Sequence, residues 1–231
     1  MKNFRTKSIG ISLAALSCIF TFAAASASAV LVTWELNPKG LEKPVGSSNV
    51  TVTEYGRSIT AYGWTVNASG DTPLGLYYKN QGFDETGLGI LGPSDHELQS
   101  SGGLPLQYIQ LDLGAILATG QVFDGKLQIG SVQGSSNDTF SIYGSSTLGT
   151  LGTKISATFD SSSDLLFVSI PNFGAYQYIS VGSLSGDVLP VAFQAFCIPE
   201  MNALFPIVGL IAAVSFTQLL RRRHLARSIS L

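Results

Sequence analysis

The chain is poor in cysteine and histidine, and these shortages exclude several kinds of site. Its two cysteines are Cys18 and Cys197, and Cys18 lies in an amino-terminal leader, so the rest of the chain cannot form an intrachain disulfide. The two histidines, His96 and His224, do not combine with these cysteines into zinc-site spacing. A serine triad would depend on His96, and the G-x-S-x-G motif is absent. We therefore predict no catalytic residue and no enzymatic activity.

Charge is also scarce, at 12% of residues, and it is unevenly distributed. Residues 30–197 contain six basic and fourteen acidic side chains, a net charge of −8, while both ends of the chain are basic. An acidic domain excludes nucleic acid as a partner and disfavours anionic lipid surfaces. It suits divalent cations or neutral polysaccharide.

Sustained helical periodicity is missing between residues 30 and 197, where short β-rich runs alternate with Gly, Ser, Asn and Asp turns. The run Tyr108–Leu113 is typical, because Ile109, Leu111 and Leu113 share one face and polar residues share the other. About ten such runs predict an all-β fold of antiparallel sheets packed as a β-sandwich, most consistent with a jelly roll. A β-helix would require a regular short repeat, and the sequence contains none.

The amino end has the layout of an export signal. Three basic residues lie within the first seven positions, residues 9–25 are almost wholly apolar, and Ala27-Ser28-Ala29 fits the small-x-small cleavage pattern. We expect a signal peptide over residues 1–29 and a mature chain that begins at Val30. An uncleaved membrane anchor and a lipoprotein modified at Cys18 are the alternatives.

The carboxyl end contains an uncharged segment, residues 203–220, followed by Arg221, Arg222 and Arg223. As a helix, 18 residues span roughly 27 Å, enough to cross the hydrocarbon core. We predict a transmembrane helix at about 203–220 and a basic cytoplasmic tail at 221–231, which places residues 30–197 outside the membrane. A helix packed on the domain core is the alternative, but this segment has no polar face.

Pro199-Glu200, the apolar segment and the arginines at 221–223 together resemble the PEP-CTERM sorting signal, also labelled the ice-binding protein C-terminal domain. Met201 stands where that family has its second proline. The resemblance covers 198 to about 227 and implies an exosortase-type processing enzyme as partner. It also implies a final location in the membrane, cell envelope or extracellular matrix of an exopolysaccharide-producing bacterium. The domain resembles a β-sandwich recurrent in that group at Leu76–Lys79, Asp84–Ile90, Asp95–Leu98, Ile109–Leu113 and Gly186–Leu189.

A group of five acidic residues is the one candidate for metal binding. Its members are Asp84, Glu85, Asp95, Glu97 and Asp112. Glycines at 87, 89 and 92 are expected to let the backbone turn tightly between them. A loop of this kind supplies the carboxylate and carbonyl oxygens that Ca²⁺ requires. The alternatives are a solvated acidic loop and a catalytic carboxylate pair.

Aromatic residues offer a second route to function, because their rings could stack on sugar rings or fill the sandwich core. The candidates are Trp34, Trp64, Tyr77, Tyr78, Phe83, Tyr176 and Tyr178. The favoured hypothesis is an exported, non-enzymatic surface protein associated with exopolysaccharide. The alternatives are a Ca²⁺-stabilised carbohydrate-binding module and a polysaccharide hydrolase.

Overall fold

The computed structural model describes residues 28–82, 85–92, 94–132, 138–155, 165–198, 209–218 and Arg221. Ala29–Ile198 forms one compact unit, and Met1–Ser28 with Pro199–Leu231 forms another. In the second unit, residues 209–218 are helical. Within the described ranges, no helix combines the length and apolar character needed to cross a membrane. Ala27, Pro199, Glu200, Arg222 and Arg223 lie outside these ranges, so the predicted sorting motif and transmembrane helix remain predictions.

Strands dominate the described part of Ala29–Ile198, which confirms the all-β prediction. The strands are β1 Val30–Glu35, β2 Lys43–Pro44, β3 Asn49–Glu54, β4 Arg57–Thr65, β5 Thr72–Leu74, β6 Leu76–Asn80, β7 Thr86–Ile90, β8 Ser100–Ser101, β9 Leu104–Pro105, β10 Gln107–Asp112, β11 Val122–Gly130, β12 Thr139–Ser145, β13 Thr153–Ile155, β14 Leu166–Ser169, β15 Tyr178–Ser185 and β16 Leu189–Cys197. One short helix, α1 Gly114–Leu117, and a 3-10 helix, Phe173–Ala175, interrupt them.

The strands form two larger sheets and two small ones. The seven-stranded sheet has the order β13-β12-β15-β10-β4-β3, with β5 added against β4, and the four-stranded sheet has the order β1-β16-β11-β14. The smaller sheets are β2-β6-β7 and β8-β9. The strand pairs β1–β16, β10–β15 and β10–β4 are antiparallel, in agreement with the period-2 pattern of the sequence.

A single apolar core takes side chains from both larger sheets. Ile109 and Leu111 contribute from the seven-stranded sheet, and Trp34 and Phe193 contribute from the four-stranded sheet. The rings of Trp34 and Phe193 lie 5.6 Å apart. The Trp34 indole N–H also donates to the backbone oxygen of Arg57, at 2.9 Å, and so joins β1 to β4. The arrangement is therefore sandwich-like, with the buried faces of the two sheets turned toward each other.

One stretch differs from its prediction. Gly87 and Gly89 do not turn the chain; they lie within strand β7, and of the three glycines expected to turn only Gly92 has a positive φ, of 145°. Their missing side chains instead allow close approach. A Cβ atom on Gly89 would lie 1.7 Å from the backbone oxygen of His96, and one on Gly87 would lie 2.6 Å from that of Pro190. The loop after β7 and strand β16 can therefore press against β7.

Candidate functional site

Three carboxylates converge where the loop after β7 meets the turn before β16. Leu98 and Val188 form an antiparallel bridge, with the Leu98 N–H donating to the Val188 oxygen at 3.0 Å. Their sequence neighbours Glu97 and Asp187 are thereby brought together, and Asp95 joins them from the same loop. Carboxylate oxygens of Asp95, Glu97 and Asp187 all lie within 4.8 Å of one another. We call these three residues the acidic cluster.

A buried lysine supplies the positive charge beside this cluster. The Lys79 ammonium forms an ion pair with Glu97 and a second with Glu85, at 3.0 Å. The side chains of Lys79 and Glu97 are each only 3% exposed. The backbone oxygen of Lys79 accepts a hydrogen bond from Nδ2 of the buried Asn37, at 2.9 Å, which holds β6 in place below the ion pair. Buried charges require such partners, because solvent cannot stabilise them.

The electrostatics of the cluster favour protons or an added cation. Burial raises the pKa of Glu97, and the hydrogen bond and charge of Lys79 oppose that shift only in part. Burial also raises the pKa of Asp187, and the nearby carboxylates of Asp95 and Asp138 raise it further. Burial lowers the pKa of Lys79, but hydrogen bonds and charges from Glu97 and Glu85 outweigh it and leave the pKa raised. Lys79 therefore stays positively charged, and its single charge is fewer than the three carboxylates of the acidic cluster.

The donor set matches a hard cation in chemistry and spacing. Three carboxylates supply oxygen ligands, and Ca²⁺ would complete its six to eight ligands with backbone carbonyls or water. Lys79 already neutralises one side of Glu97, so the carboxylates of Asp95 and Asp187 are the members with charge left to balance. The cluster can therefore either take up a proton on Asp187, whose pKa is raised, or hold a divalent ion.

The predicted metal residues do not all meet. Asp95 and Glu97 lie in the acidic cluster, Glu85 contacts it through Lys79, and Asp84 lies outside the described residues. Asp112 belongs to a different surface on β10, where its Oδ1 accepts hydrogen bonds from the Gly114 N–H at 2.8 Å and from Gln177 Nε2 at 3.4 Å. Spacing along the chain does not reveal Asp187 or Lys79 as members. The Gly186-Asp187 turn signal before an apolar run is the only local hint of that position.

A second candidate surface lies on the outer side of the seven-stranded sheet. Its cross-strand rows are Tyr62-Gln110-Ser180, Trp64-Tyr108-Gly182 and Thr60-Asp112-Tyr178. We call these side chains of β4, β10 and β15 the polar sheet face. They point away from Ile109 and Leu111, which alternate with them along β10 and lie in the core. The alternation predicted for Tyr108–Leu113 is confirmed.

A loop covers one part of the polar sheet face. Gln110 is fully buried, its Nε2 donates to the Thr150 oxygen at 3.0 Å, and its Oε1 accepts from the Gly149 N–H at 2.8 Å. Gly149, at φ 71°, lies against Trp64, since a Cβ there would be 2.8 Å from the indole ring. Tyr108 is also buried and donates its hydroxyl to Asp71 at 2.6 Å. These contacts fix the 149–150 backbone over Trp64 and Gln110.

The remaining part of the polar sheet face is open to solvent. Tyr62, Trp64 and Asp112 are partly exposed, and Gln177 at the edge is exposed. The ring centroids of Tyr62 and Trp64 lie 6.5 Å apart at 30°, and those of Trp64 and Tyr108 lie 6.5 Å apart at 21°. Gln177 Nε2 lies 3.0 Å from the Tyr178 hydroxyl. The solvent-accessible part of this face is therefore limited to the partly exposed Thr60, Tyr62, Trp64 and Asp112 and the exposed Gln177.

The other predicted aromatics have different roles. Trp34 is fully buried, and Tyr78 and Tyr176 pack against the core, so the sequence-based preference for core applies to these three. Tyr77 stacks on His96, with ring centroids 3.7 Å apart. Phe83 lies outside the described residues. Of the proposed stacking residues, Trp64 and Tyr178 lie on the polar sheet face, and Tyr62 is an addition that only the register shows.

No family model, no curated protein and no solved structure matches the chain. Function must therefore be inferred from the arrangement of the residues themselves.

Proposed function

We propose that this chain is an exported, non-enzymatic surface protein of a bacterial cell envelope or matrix, and that its sandwich binds neutral polysaccharide. The leader at 1–29 and the tripartite carboxyl end at 198–231 support export, membrane anchoring and processing by an exosortase-type enzyme. Jelly-roll connectivity is part of the proposal. It is supported by sheets in which most neighbouring strands are not consecutive along the chain.

The polar sheet face is the observation that carries the binding proposal. Tyr62 and Trp64 have partly exposed rings on the same sheet face as the carboxylate of Asp112, and the Gln177 amide lies at Asp112 and at the Tyr178 hydroxyl. Sugar rings have apolar C–H faces that suit aromatic stacking and hydroxyl edges that suit carboxylate and amide groups. The domain charge of −8 favours a neutral over an anionic polymer.

The same surface offers little for catalysis. A glycosidase requires two carboxyl groups on opposite sides of the scissile bond. Asp71 and Asp112, the described carboxylates at this face, are held by the Tyr108 hydroxyl and by the Gly114 N–H, respectively. Both therefore act as fixed parts of the hydrogen-bond framework, which supports the non-enzymatic proposal over the hydrolase.

Binding to a panel of neutral and anionic polysaccharides tests this function. The full chain in mild detergent is expected to bind a neutral polymer, and Tyr62→Ala is expected to weaken that binding about tenfold, or about 1.4 kcal/mol. Tyr55→Ala is the matched control, because Tyr55 is 79% exposed at the β3–β4 turn, off the polar sheet face. Equal losses in both variants, or hydrolysis of the polymer, would contradict the proposal.

A Ca²⁺-stabilised module is the second candidate, favoured by the convergence of Asp95, Glu97 and Asp187. A ligand at 100 times its Kd stabilises the folded state by about 2.7 kcal/mol. Thermal unfolding with added Ca²⁺ should therefore occur at a higher temperature than in chelator, and Asp187→Asn should remove most of the difference. An equal response to Mg²⁺, or no response in the unmodified chain, would exclude a selective calcium site.

A further inference from the structure

An apolar patch lies on the outer side of the four-stranded sheet, at the end where the chain leaves the sandwich. Leu31, Phe196 and Phe123 are cross-strand neighbours on β1, β16 and β11. Leu31 is 47% exposed and Phe123 is 40% exposed, and the rings of Phe123 and Phe196 stack with centroids 5.7 Å apart at 15°. We call these three residues the exit patch.

The exit patch contrasts with the rest of its own surface. The next cross-strand row consists of Thr33, Gln194 and Lys126, and Gln194 Nε2 donates to the Thr33 hydroxyl at 3.0 Å. Single exposed apolar residues are common, but three in contact on adjacent strands form a patch. A shallow pocket of about 510 Å³ adjoins Phe123, and its lining is mixed, with the apolar Val122 and Phe173 beside the polar Asp124 and Asn172.

The chain leaves the sandwich beside this patch in a fixed position. The Ile198 N–H donates to the Gln121 oxygen at 2.9 Å, and Arg57 Nη2 donates to the Ile198 oxygen at 2.8 Å. Only residues 199–202 separate Ile198 from the uncharged segment at 203–220. Five residue steps reach at most about 18 Å in a fully extended chain. Wherever residues 203–220 are anchored, residue 203 therefore lies within this distance of Ile198.

We propose that the exit patch rests in the lipid–water interface of the membrane that holds residues 203–220. The inference depends on the proposed membrane anchoring. Amphipathic membrane-surface helices bury an apolar face of Trp, Phe and Leu by about 5–10 Å at the boundary between headgroups and acyl chains, and the exit patch presents the same kinds of side chain. The short tether keeps the patch within reach of this layer. Because the domain carries a charge of −8, zwitterionic lipid is the surface that it tolerates best.

Quenching by brominated lipid tests the inference. Phe123→Trp and, as matched control, Phe167→Trp are made in the full chain; Phe167 lies on the same sheet face away from the patch and is 48% exposed. Each variant is reconstituted into phosphatidylcholine vesicles with plain or brominated acyl chains, and its emission is compared with that of the unmodified chain. Loss of the added emission in Phe123→Trp, and not in Phe167→Trp, is the expected result.

Alkaline extraction of the same vesicles separates the two proposals. If the chain resists extraction but the tryptophan at 123 is not quenched, or both variants are quenched equally, the interfacial patch is overturned and the anchoring stands. If alkali removes the chain from the vesicles, the anchoring fails and the patch inference fails with it. Emission that shifts with protein concentration in plain vesicles would instead assign the patch to a second copy of the chain.

Discussion

Replacing the buried lysine provides the most direct test of how the acidic cluster is held. In Lys79→Met, Glu97 keeps its buried position and loses its main ion-pair partner, because both side chains are 3% exposed. Breaking a buried ion pair by removing one partner costs about 3–5 kcal/mol. The loss of unfolding free energy has an upper limit at neutral pH, since Glu97 can accept a proton and does not have to remain buried as an unpaired charge. Protonating a carboxyl of ordinary pKa at about pH 7 costs about 3.7 kcal/mol.

The same reasoning predicts how the defect depends on pH. At about pH 5 the cost of protonating such a carboxyl is only about 1 kcal/mol, so the defect of Lys79→Met should shrink between the two conditions, by at most about 2.7 kcal/mol. The direction follows because Lys79 lowers the pKa of Glu97. Without Lys79 this pKa rises further, so the variant loses stability more steeply than the unmodified chain as pH rises. The double variant Lys79→Met/Glu97→Leu should recover most of the loss, because it leaves no buried charge unpaired.

Urea-induced unfolding of the full chain in mild detergent, followed by the combined fluorescence of the buried Trp34 and the partly exposed Trp64, measures these values. Glu97→Gln is the matched single variant, and its defect should be the smaller one because Lys79 keeps Glu85 at 3.0 Å. A defect of Lys79→Met that is equal at both pH values would refute the reasoning. So would a double variant no more stable than Lys79→Met.

Three further variants test other parts of the structure. In chelator, Asp187→Asn should raise stability at neutral pH and flatten its pH dependence, because the raised pKa of Asp187 makes its ionised form unfavourable in the folded state as pH rises. Thermal melts across pH check this. Asn37→Ala should cost about 2–4 kcal/mol in urea unfolding, because Asn37 makes three hydrogen bonds to the backbone of residues 41 and 79. Gly89→Ala should cost about 3 kcal/mol or more by the same assay, since its Cβ would meet the His96 oxygen, while Gly174→Ala, with open space around it, should cost less than about 1 kcal/mol.

Much of the fold could be predicted because strand periodicity is a local property. The alternation along Tyr108–Leu113 identifies β10 and both of its faces, and the structure places Ile109 and Leu111 in the core. Strand β7 escaped prediction because its sequence, TGLGI, contains two glycines that usually indicate turns. Those glycines are required by the close approach of His96 and Pro190, which are neighbours in space only.

The candidate sites were predicted less completely. Asp95 and Glu97 are close in the sequence and meet in the structure, whereas Asp112 lies with Gly114 and Gln177 on another surface. The composition of a segment identifies its acidic residues but does not show which of them lie close together in the folded chain. The polar sheet face was also only partly predictable, because the alignment of Tyr62 with Gln110 depends on the register between β4 and β10.

The sequence by itself determined the strand-rich character, the charge of −8 on residues 30–197 and the layout of the two ends, because each depends on residues near one another in the chain. Only the tertiary structure decided that Lys79, Glu97 and Asp187 share one site and that Gln110, a polar residue on an outward face, is buried beneath residues 149–150. The physical reason is that burial and ion pairing depend on distances between separate strands. Those distances are set by packing and register rather than by local preference.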